Sequence, residues 1–227
     1  AALVAVFTTL AIVVILVVES SYFFEHVTIR EFLTDRMWTP LFDDAHYGIM
    51  VLISGTLVSS GVALLVAIPM GTIIAIYLSE FANSHVREIA KPVLELLGGI
   101  PTIVFGYFAL LIVTPLLQKI FPELPGFSLL SAGLVMGIMI IPFVSSMADD
   151  SNSAVPQAMR DGSLAMGATQ SETIKRVLIP AALPGIVAGV MLAISRAIGE
   201  TMIVVMAASP AANLTANPLE PMSTVTV

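Results

Sequence analysis

Residues 149–185 read DDSNSAVPQAMRDGSLAMGATQSETIKRVLIPAALPG, a polar stretch between two apolar segments. Pro156 suits the first turn of a helix, because its missing N–H would have no helical partner there. This helix is predicted to run to about Met166. Gly167 then supplies the left-handed residue that commonly follows a helix end. The stretch therefore predicts a short helix followed by a sharp turn.

A second helix signal follows the turn. Thr169 and Glu172 have the spacing of a capping box, in which each side chain pairs with the backbone of the other residue. Pro180 is predicted to end this second helix, because proline lacks a backbone donor. Residues 156–180, within a loop over residues 148–182, are therefore predicted to form a helix-turn-helix elbow. On composition alone, a purely structural loop is the alternative.

The composition is that of a membrane protein. Hydrophobic residues make up 57% of the 227 residues and charged residues 11%, with a mean hydropathy of +0.99, whereas about 25% of a typical soluble domain is charged. The chain has no cysteine, which excludes disulfides and cysteine-ligated metal sites. The formal charge of −7 argues against nucleic acid as a partner.

Five apolar stretches approach the roughly 20 residues that a membrane-spanning helix needs. We therefore predict an all-α polytopic fold with one transmembrane domain over residues 1–227. The third span opens with Gly98 to Pro101, so its first turn is predicted to be irregular. The predicted spans cover residues 1–18, 48–78, 96–117, 127–147 and 183–208.

The distribution of basic residues predicts which loops face the cytoplasm. Five of them fall in the loops 79–95 and 148–182 and three in the other loops, so the positive-inside rule places these two loops in the cytoplasm. Residues 20–47 are then an external loop, either an interfacial helix with aromatic anchors or an ordered loop. Residues 210–227 are predicted to be an external connection.

The fifth predicted span contains two charged residues, Arg196 near its middle and Glu200 one turn later. An arginine at the centre of a span costs about 2.5–3.5 kcal/mol on insertion scales. A compensating partner or a function is therefore expected for Arg196. One reading is an intramembrane ion pair that fixes helix packing, since residues four apart share a helix face. The other is an oxyanion site: the guanidinium binds a tetrahedral anion, Glu200 balances the empty site, and Gly199 allows close approach.

The spacing within the elbow resembles the pattern E-A-A-x3-G-x9-I-x-L-P of the cytoplasmic coupling loop of ABC-importer permeases. The first triad departs from the pattern, because glycine and serine stand where it has two alanines. The resemblance implies that the elbow docks on an ATP-binding subunit. The residues it assigns to this coupling are Asp161, Gly162, Ser163, Gly167, Ala168, Glu172 and Pro180.

Residues 196–202 read RAIGETM, which resembles the R-A-[IL]-G-E-T-M signature of the C-type permeases of phosphate ABC transporters. Sulfate and molybdate permeases are similar at R-x-L-G-E but usually carry an aromatic residue where Thr201 stands. The resemblance implies a substrate path for phosphate lined by Arg196, Gly199, Glu200 and Thr201. Further stretches that agree with these permeases lie at residues 47–57, 76–80 and 99–106.

This resemblance also implies an assembly. This chain would be a permease of the type I importer fold with six spans, of which the sixth would follow Val227. Its partners would be a second permease, two ATP-binding subunits and an external phosphate-binding protein. The complex would lie in a bacterial inner membrane. The chain has no G-x-x-x-x-G-K-[ST] motif, so we predict a transport subunit without enzymatic activity, cofactor or metal, and ATP with Mg bound by a partner. The alternatives are a permease for sulfate, molybdate or tungstate, an ATP-independent transporter, and a regulatory membrane scaffold.

The remaining polar residues are predicted to be solvated. The three histidines lack metal-ligand spacing, and Asp149 with Asp150 is interpreted as exposed loop charge. Asp43 and Asp44 lie on the predicted external face, where a binding protein would dock.

Overall fold

The computed structural model describes residues 2–40, 44–208 and 214–227. The predictions that concern Asp43 and residues 210–213 lie outside these ranges. The described residues form helices and their connections, with one isolated antiparallel bridge between Trp38 and Tyr47. The all-α prediction is therefore confirmed.

The helices are numbered in chain order. Three of them are extended by π-helical turns, at Tyr77–Phe81, Ala109–Val113 and Ile174–Leu178. The α-helices are α1 Ala2–His26, α2 Ile29–Thr34, α3 Ile49–Ile76, α4 Ser84–Gly99, α5 Thr102–Phe108, α6 Thr114–Gln118, α7 Leu129–Ser153, α8 Gln157–Ala165, α9 Gln170–Thr173, α10 Ile179–Ile198 and α11 Met202–Ala207.

Within the described part of the chain, four helical segments are long and apolar enough to cross a membrane: Leu3–His26, Ile49–Phe81, Leu129–Ser153 and Gln170–Ile198. A fifth arises if the bent pair Ser84–Gly99 and Thr102–Gln118 counts as one span. If the bent pair counts as one span, the structure has the five spans that the sequence predicts, although several boundaries differ.

Helix α7 is the centre of the bundle and packs most extensively against α3. The two helices approach closely because glycines of α7 face α3. A Cβ atom added at Gly133 would lie 2.8 Å from the Val62 side chain, and one at Gly137 would lie 2.8 Å from the backbone oxygen of Ala63. Larger residues at these two positions would force the helices apart.

Helix α1 contradicts the predicted end of the first span at Val18, because it continues to His26. The described side chains of α1 are exposed to beyond residue 20, and the helix makes no extensive contact with the rest of the described chain. An apolar helix exposed on every side requires lipid or another protein around it.

The third predicted span, residues 96–117, and the predicted loop 79–95 are both wrong in detail. Residues 84–99 form the helix α4, and a second helical segment begins at Thr102, bent by 89° relative to α4. The break falls at Ile100 and Pro101, as the irregular turn predicted, because a residue before proline avoids the helical conformation. What the hydropathy pattern missed is the helix α4 itself, which turns Arg87 and Lys91 toward Asp149 of α7. Its apolar residues Val86, Ile89 and Val93 are exposed.

Residues 20–47 also differ from the predicted loop, since the first seven of them belong to α1. Thr28 caps the short helix α2 through the backbone N–H of Glu31. The aromatic rings of this segment pack edge to face at centroid distances of 5.2–6.3 Å, in a cluster of Phe23, Phe24, Phe32, Trp38 and Tyr47.

His46 contradicts the prediction that the histidines are simply solvated. Its Nδ1 lies 2.7 Å from Oδ2 of Asp35. The hydrogen bond to Asp35 raises the pKa of the His46 imidazole above its ordinary value, and the same hydrogen bond lowers the pKa of the Asp35 carboxyl. The pair ties the end of α2 to the segment that leads into α3.

The C-terminal segment covers the end of the bundle where α7 begins. The backbone N–H of Leu130 donates to the oxygen of Pro218 at 2.7 Å, and the N–H of Val225 donates to Oγ1 of Thr56 at 3.0 Å. The side chain of Met222 is fully buried. We call this the far end, and the opposite end, where α3 and α7 finish and α8 and α9 lie, the elbow end.

Candidate functional site: a half-buried arginine and an elbow

Arg196 lies in the last turn of α10, because the helix ends at Ile198. The prediction that it sits near the middle of one continuous span over residues 183–208 is therefore wrong. Its guanidinium carbon lies 4.4 Å from the centroid of the Phe143 ring, and Nη2 lies 3.9 Å from Sδ of Met139. Both partners belong to α7, so Arg196 faces the bundle centre.

No carboxylate of the described chain lies within 4 Å of the Arg196 guanidinium. Its Nε atom is buried and has no hydrogen-bond partner among the described residues. The face of an aromatic ring attracts a cation but does not neutralise it. The arrangement therefore leaves guanidinium donors available to an anion.

Glu200 does not pair with Arg196, which contradicts the ion pair read from their spacing. The helix ends between the two residues, so they no longer share one helix face. Glu200 is 7% exposed, and its Oε1 accepts from the backbone N–H of Ile203 at 3.3 Å. The carboxylate thus caps the N-terminus of α11, where a negative charge is favourable.

Gly199 and Thr201 form the break between α10 and α11. Gly199 is exposed, and an added Cβ would approach only the backbone oxygen of Ser195, at 3.4 Å. Thr201 is half-buried and makes no side-chain capping hydrogen bond. The hydroxyl of Thr226 donates to the backbone oxygen of Glu200 at 2.9 Å. The C-terminal segment, which covers the far end, thus contacts the break between α10 and α11.

A lateral cavity of about 440 Å³ extends from Phe143 toward the elbow end, between α4, α7 and α10. Its lining is mostly apolar and includes three charged residues, Lys91, Glu95 and Asp149. Phe143 and Asp149 are six residues apart on α7, which corresponds to about 9 Å along the helix. The lining includes Leu94, Phe143, Ser146, Leu192, Lys91 and Asp149.

Asp149 contradicts the prediction of exposed loop charge, because α7 continues past it to Ser153. Its side chain is 1% exposed and lies 3.1 Å from Nη2 of Arg87 and 2.6 Å from Nζ of Lys91. Sequence reasoning missed this group. The available signal was that Arg87 and Lys91 are four residues apart and so share one face of α4.

The elbow has the local structure that its sequence predicts. Helix α8 runs from Gln157 to Ala165, and Gly167 adopts a φ of 88°. The capping box at the start of α9 is complete: the Thr169 side chain accepts from the Glu172 N–H, and Oε2 of Glu172 accepts from the Thr169 N–H at 2.9 Å.

The other predicted coupling residues lie on or beside this turn. Oδ1 of Asp161 accepts from Nε2 of Gln157 at 3.0 Å, and both side chains are exposed. The hydroxyls of Ser163 and Thr173 are 2.9 Å apart and join α8 to α9. Gly162 has no heavy atom within 4 Å of an added Cβ, and the half-buried Ala168 follows the turn.

The prediction that Pro180 ends the second helix is wrong. The helical segment continues from Gln170 to Ile198 through Pro180. The π-helical turn Ile174–Leu178 precedes the proline, with the N–H of Ile179 donating to the oxygen of Ile174. This wider turn accommodates the missing backbone donor of the proline, so α9 and α10 form one continuous helical segment.

Exposed apolar side chains on α8 and the following turn are a second feature that sequence reasoning missed. Met159 is 45% exposed, Leu164 is 47% exposed and Met166 is 89% exposed. Flexible apolar side chains on an otherwise polar elbow are typical of a protein-binding surface.

The bundle, its half-buried arginine and the elbow agree with what comparison with known proteins shows. Residues 67–222 match the family described as the binding-protein-dependent transport system inner membrane component. The chain belongs to this family. It is therefore the membrane permease of an ABC importer, without a cofactor of its own, and ATP hydrolysis takes place in a separate subunit, as predicted.

The chain is similar to permease proteins of several organisms, and some of these carry phosphate-transport names. The chain is 34% identical over 227 residues to the probable ABC transporter permease protein YqgH of Bacillus subtilis, covering 99% of the chain and 74% of that protein. It is 36% identical over 190 residues to the phosphate transport system permease protein PstC of Haemophilus influenzae, and 33% identical over 213 residues to PstC of Mesorhizobium japonicum. The matches to the two PstC proteins span 60% and 64% of their lengths.

A solved structure confirms the type of fold. A chain of the MetNI methionine ABC transporter, in an inward-facing conformation, aligns with a TM-score of 0.53 and 22% identity. The alignment covers 67% of this chain and 68% of that one. The importer permease fold is thus shared at low sequence identity, and the family places the chain in the inner membrane with ATP-binding and substrate-binding partners.

Proposed function

We propose that this chain forms half of the phosphate path of an ATP-driven importer and that Arg196 contacts the transported anion. The supporting observation is the Arg196 guanidinium, which packs on Phe143 and has no carboxylate within 4 Å among the described residues. A planar guanidinium matches two oxygens of a tetrahedral oxyanion, and its donors are worth more where water is scarce.

The neighbouring residues have complementary roles in this proposal. Glu200 is one turn away and engaged with the N-terminus of α11, so it lowers the positive potential without blocking the guanidinium. Gly199 leaves space for an anion beside the helix end, and the Thr201 hydroxyl is a further donor. With its positive potential lowered in this way, the site binds phosphate weakly enough to release it.

The choice of phosphate rests on the relatives. Several proteins named phosphate transport system permease protein PstC are 31–36% identical to this chain. The guanidinium by itself would accept sulfate, molybdate or tungstate, because these oxyanions also present tetrahedral oxygens. A permease for one of those anions is therefore the second candidate.

The assembly that we propose is a heterodimer with a second permease, two ATP-binding subunits and an external phosphate-binding protein. The elbow end, with residues 154–178, faces the cytoplasm, and residues 20–40 and 44–47 face outward. Met159, Leu164 and Met166 are exposed on the elbow and provide an apolar surface for the ATP-binding subunit. Closure of the ATP-binding pair then moves the elbow together with α10, and the path around Arg196 opens to alternate sides.

Phosphate uptake in proteoliposomes that contain the assembled complex tests this proposal. We expect uptake of labelled phosphate to require ATP and the binding protein, and to be displaced by unlabelled phosphate but not by sulfate or molybdate. Arg196→Gln should reduce uptake roughly 100-fold, the loss expected from about 3 kcal/mol for a buried charge-assisted contact. Lys119→Gln, which removes an exposed cation after α6, is the matched control and should leave uptake unchanged.

Three outcomes would contradict the proposal in different ways. Equal displacement by sulfate or molybdate would favour the broader oxyanion permease. Uptake that follows an ion gradient and persists without the ATP-binding subunits would indicate a secondary transporter. Unchanged uptake in Arg196→Gln would remove Arg196 from the path, and a regulatory scaffold would become the better explanation.

A further inference from the structure

The side chain of Arg160 connects the elbow to the ends of two spans. Arg160 lies on α8, and its Nη2 donates to the backbone oxygen of Asn152, in the last turn of α7, at 2.6 Å. The same Nη2 lies 3.2 Å from Oε1 of Glu80, in the π-helical turn after α3. The side chains of Arg160 and Glu80 are only 16% and 11% exposed, so this ion pair is largely removed from water.

The residues around this pair extend the connection. Nδ2 of the fully buried Asn152 donates to the Ser79 hydroxyl at 3.2 Å, which joins α7 to the end of α3. From the other arm of the elbow, Nε2 of Gln170 donates to the backbone oxygen of Glu80 at 3.2 Å. Both arms of the elbow are therefore attached to the end of α3 at Glu80.

The hydrogen bonds of this cluster are incomplete in the observed arrangement. Oε1 of Glu80, Oδ1 of Asn152 and Nε of Arg160 are buried without hydrogen-bond partners among the described residues. A guanidinium commonly binds a carboxylate through two parallel hydrogen bonds, and Arg160 does not do so here. A rotation of the guanidinium toward Glu80 would pair two of these atoms at once.

We propose that Arg160 and Glu80 form the joint that carries displacement of the elbow to α3 and α7. They are positioning residues that touch neither phosphate nor ATP, and the inference rests on the proposed coupling role of the elbow. Because a buried, partly satisfied network favours rearrangement toward full pairing, the joint has two hydrogen-bonded arrangements that can follow the two orientations of the path. An ion pair this close to full burial also resists being pulled apart when one helix moves.

The number of phosphate ions transported per ATP hydrolysed tests the joint in the reconstituted complex. We expect Glu80→Gln and Arg160→Gln each to lower this ratio roughly tenfold, a coupling loss typical of one allosteric contact. The exchanged pair Glu80→Arg with Arg160→Glu should recover most of the ratio. Arg176→Gln removes an exposed cation from the same elbow and should leave the ratio unchanged.

A purely structural role would reduce the number of assembled complexes, which lowers uptake and ATP hydrolysis in proportion. Single variants with an unchanged ratio would therefore overturn the proposal. An exchanged pair no better than either single variant would overturn the direct pairing of the two residues.

A substrate-independent measurement separates this inference from the assignment of phosphate. The chain has no cysteine, so spin labels can be introduced at Ser171→Cys on the elbow and Phe127→Cys at the far end, where both residues are exposed. In the assembled complex we expect ATP to change the distance between the labels and Glu80→Gln to abolish the change. A distance that still responds to ATP in Glu80→Gln would overturn the joint even if phosphate is not the substrate. An elbow that moves in neither protein would instead overturn its proposed coupling role.

Discussion

Arg196 lies over the face of the Phe143 ring, with its guanidinium carbon 4.4 Å from the ring centroid. The ring comes from α7 and the guanidinium from the last turn of α10, so this contact crosses the bundle centre. It positions the cation without neutralising it. An aromatic ring is suited to this role because it attracts a cation and yet cannot compete with an anion for its hydrogen-bond donors.

Loss of the Phe143 ring should weaken the proposed anion site. We expect Phe143→Leu to reduce the rate of phosphate uptake about five- to tenfold, which corresponds to roughly 1–1.4 kcal/mol for a partly desolvated cation–π contact. Phe143→Tyr retains the ring and should retain the rate. Uptake into proteoliposomes measures both variants, and a Leu variant as active as the wild type would show that the ring does not position Arg196.

The buried carboxylate of Asp149 predicts an asymmetry in stability. Removing both cations, as in Arg87→Met with Lys91→Met, leaves an uncompensated charge that is 1% exposed and should cost about 3 kcal/mol or more. Asp149→Asn should cost less, because the two cations are about one-third exposed and can turn to water. Thermal unfolding of the purified complex measures the difference, and equal losses would contradict it.

Two glycines of the elbow should respond to alanine with opposite signs. Gly162→Ala should stabilise α8 by about 0.5–1 kcal/mol, since the site is helical and has space for a Cβ. Gly167→Ala should destabilise the turn by about 1 kcal/mol, because its φ of 88° strains any residue with a Cβ. Hydrogen exchange over residues 157–173 reports both effects, and a change of the same sign in the two variants would contradict the explanation.

The pair of His46 and Asp35 predicts a pH-dependent stability. Because folding raises the pKa of His46, its stabilisation is complete below about pH 6.5, the ordinary histidine value, and is lost as pH rises through the raised pKa. Because folding lowers the pKa of Asp35, its contribution is lost only as the solution becomes strongly acidic. We therefore expect His46→Gln to lower the melting temperature more at pH 6 than at pH 9.

The matched control for this pH dependence is His85→Gln. His85 is exposed and is in none of the ion pairs found among the described residues. Its substitution removes an imidazole but no ion pair, so the pH dependence of His46→Gln in excess of that of His85→Gln measures the contribution of the Asp35 pair. A pH-independent effect of His46→Gln would show that the Asp35 pair does not contribute to folding.

Much of the helical structure could be predicted because its signals are local. The capping box at Thr169 and Glu172, the turn at Gly167 and the apolar length of the spans each depend on residues close together in the chain. The break near Pro101 was also predictable, since proline restricts its neighbour wherever it occurs. The family resemblance of the elbow and of the Arg196 motif likewise rests on short spacings.

The incorrect predictions concern features that are not decided by the local sequence alone. Pro180 was expected to end a helix, but a π-helical turn just before it accommodates the missing donor. Asp149 was expected in a loop, but the helix continues and two cations from α4 compensate its burial. In each case a backbone rearrangement or a partner from another helix reversed a preference that is correct for an isolated segment.

The amino-acid sequence alone was sufficient for the membrane class, the number of spans, the elbow and the presence of an arginine in an apolar segment, because hydropathy and capping act over a few residues. Tertiary packing decided that Arg196 meets Phe143 rather than Glu200, and that Arg160 reaches Glu80, 80 residues away in the chain. Such partners depend on how whole helices cross, and the balance of desolvation and pairing that selects them exists only after the helices have packed.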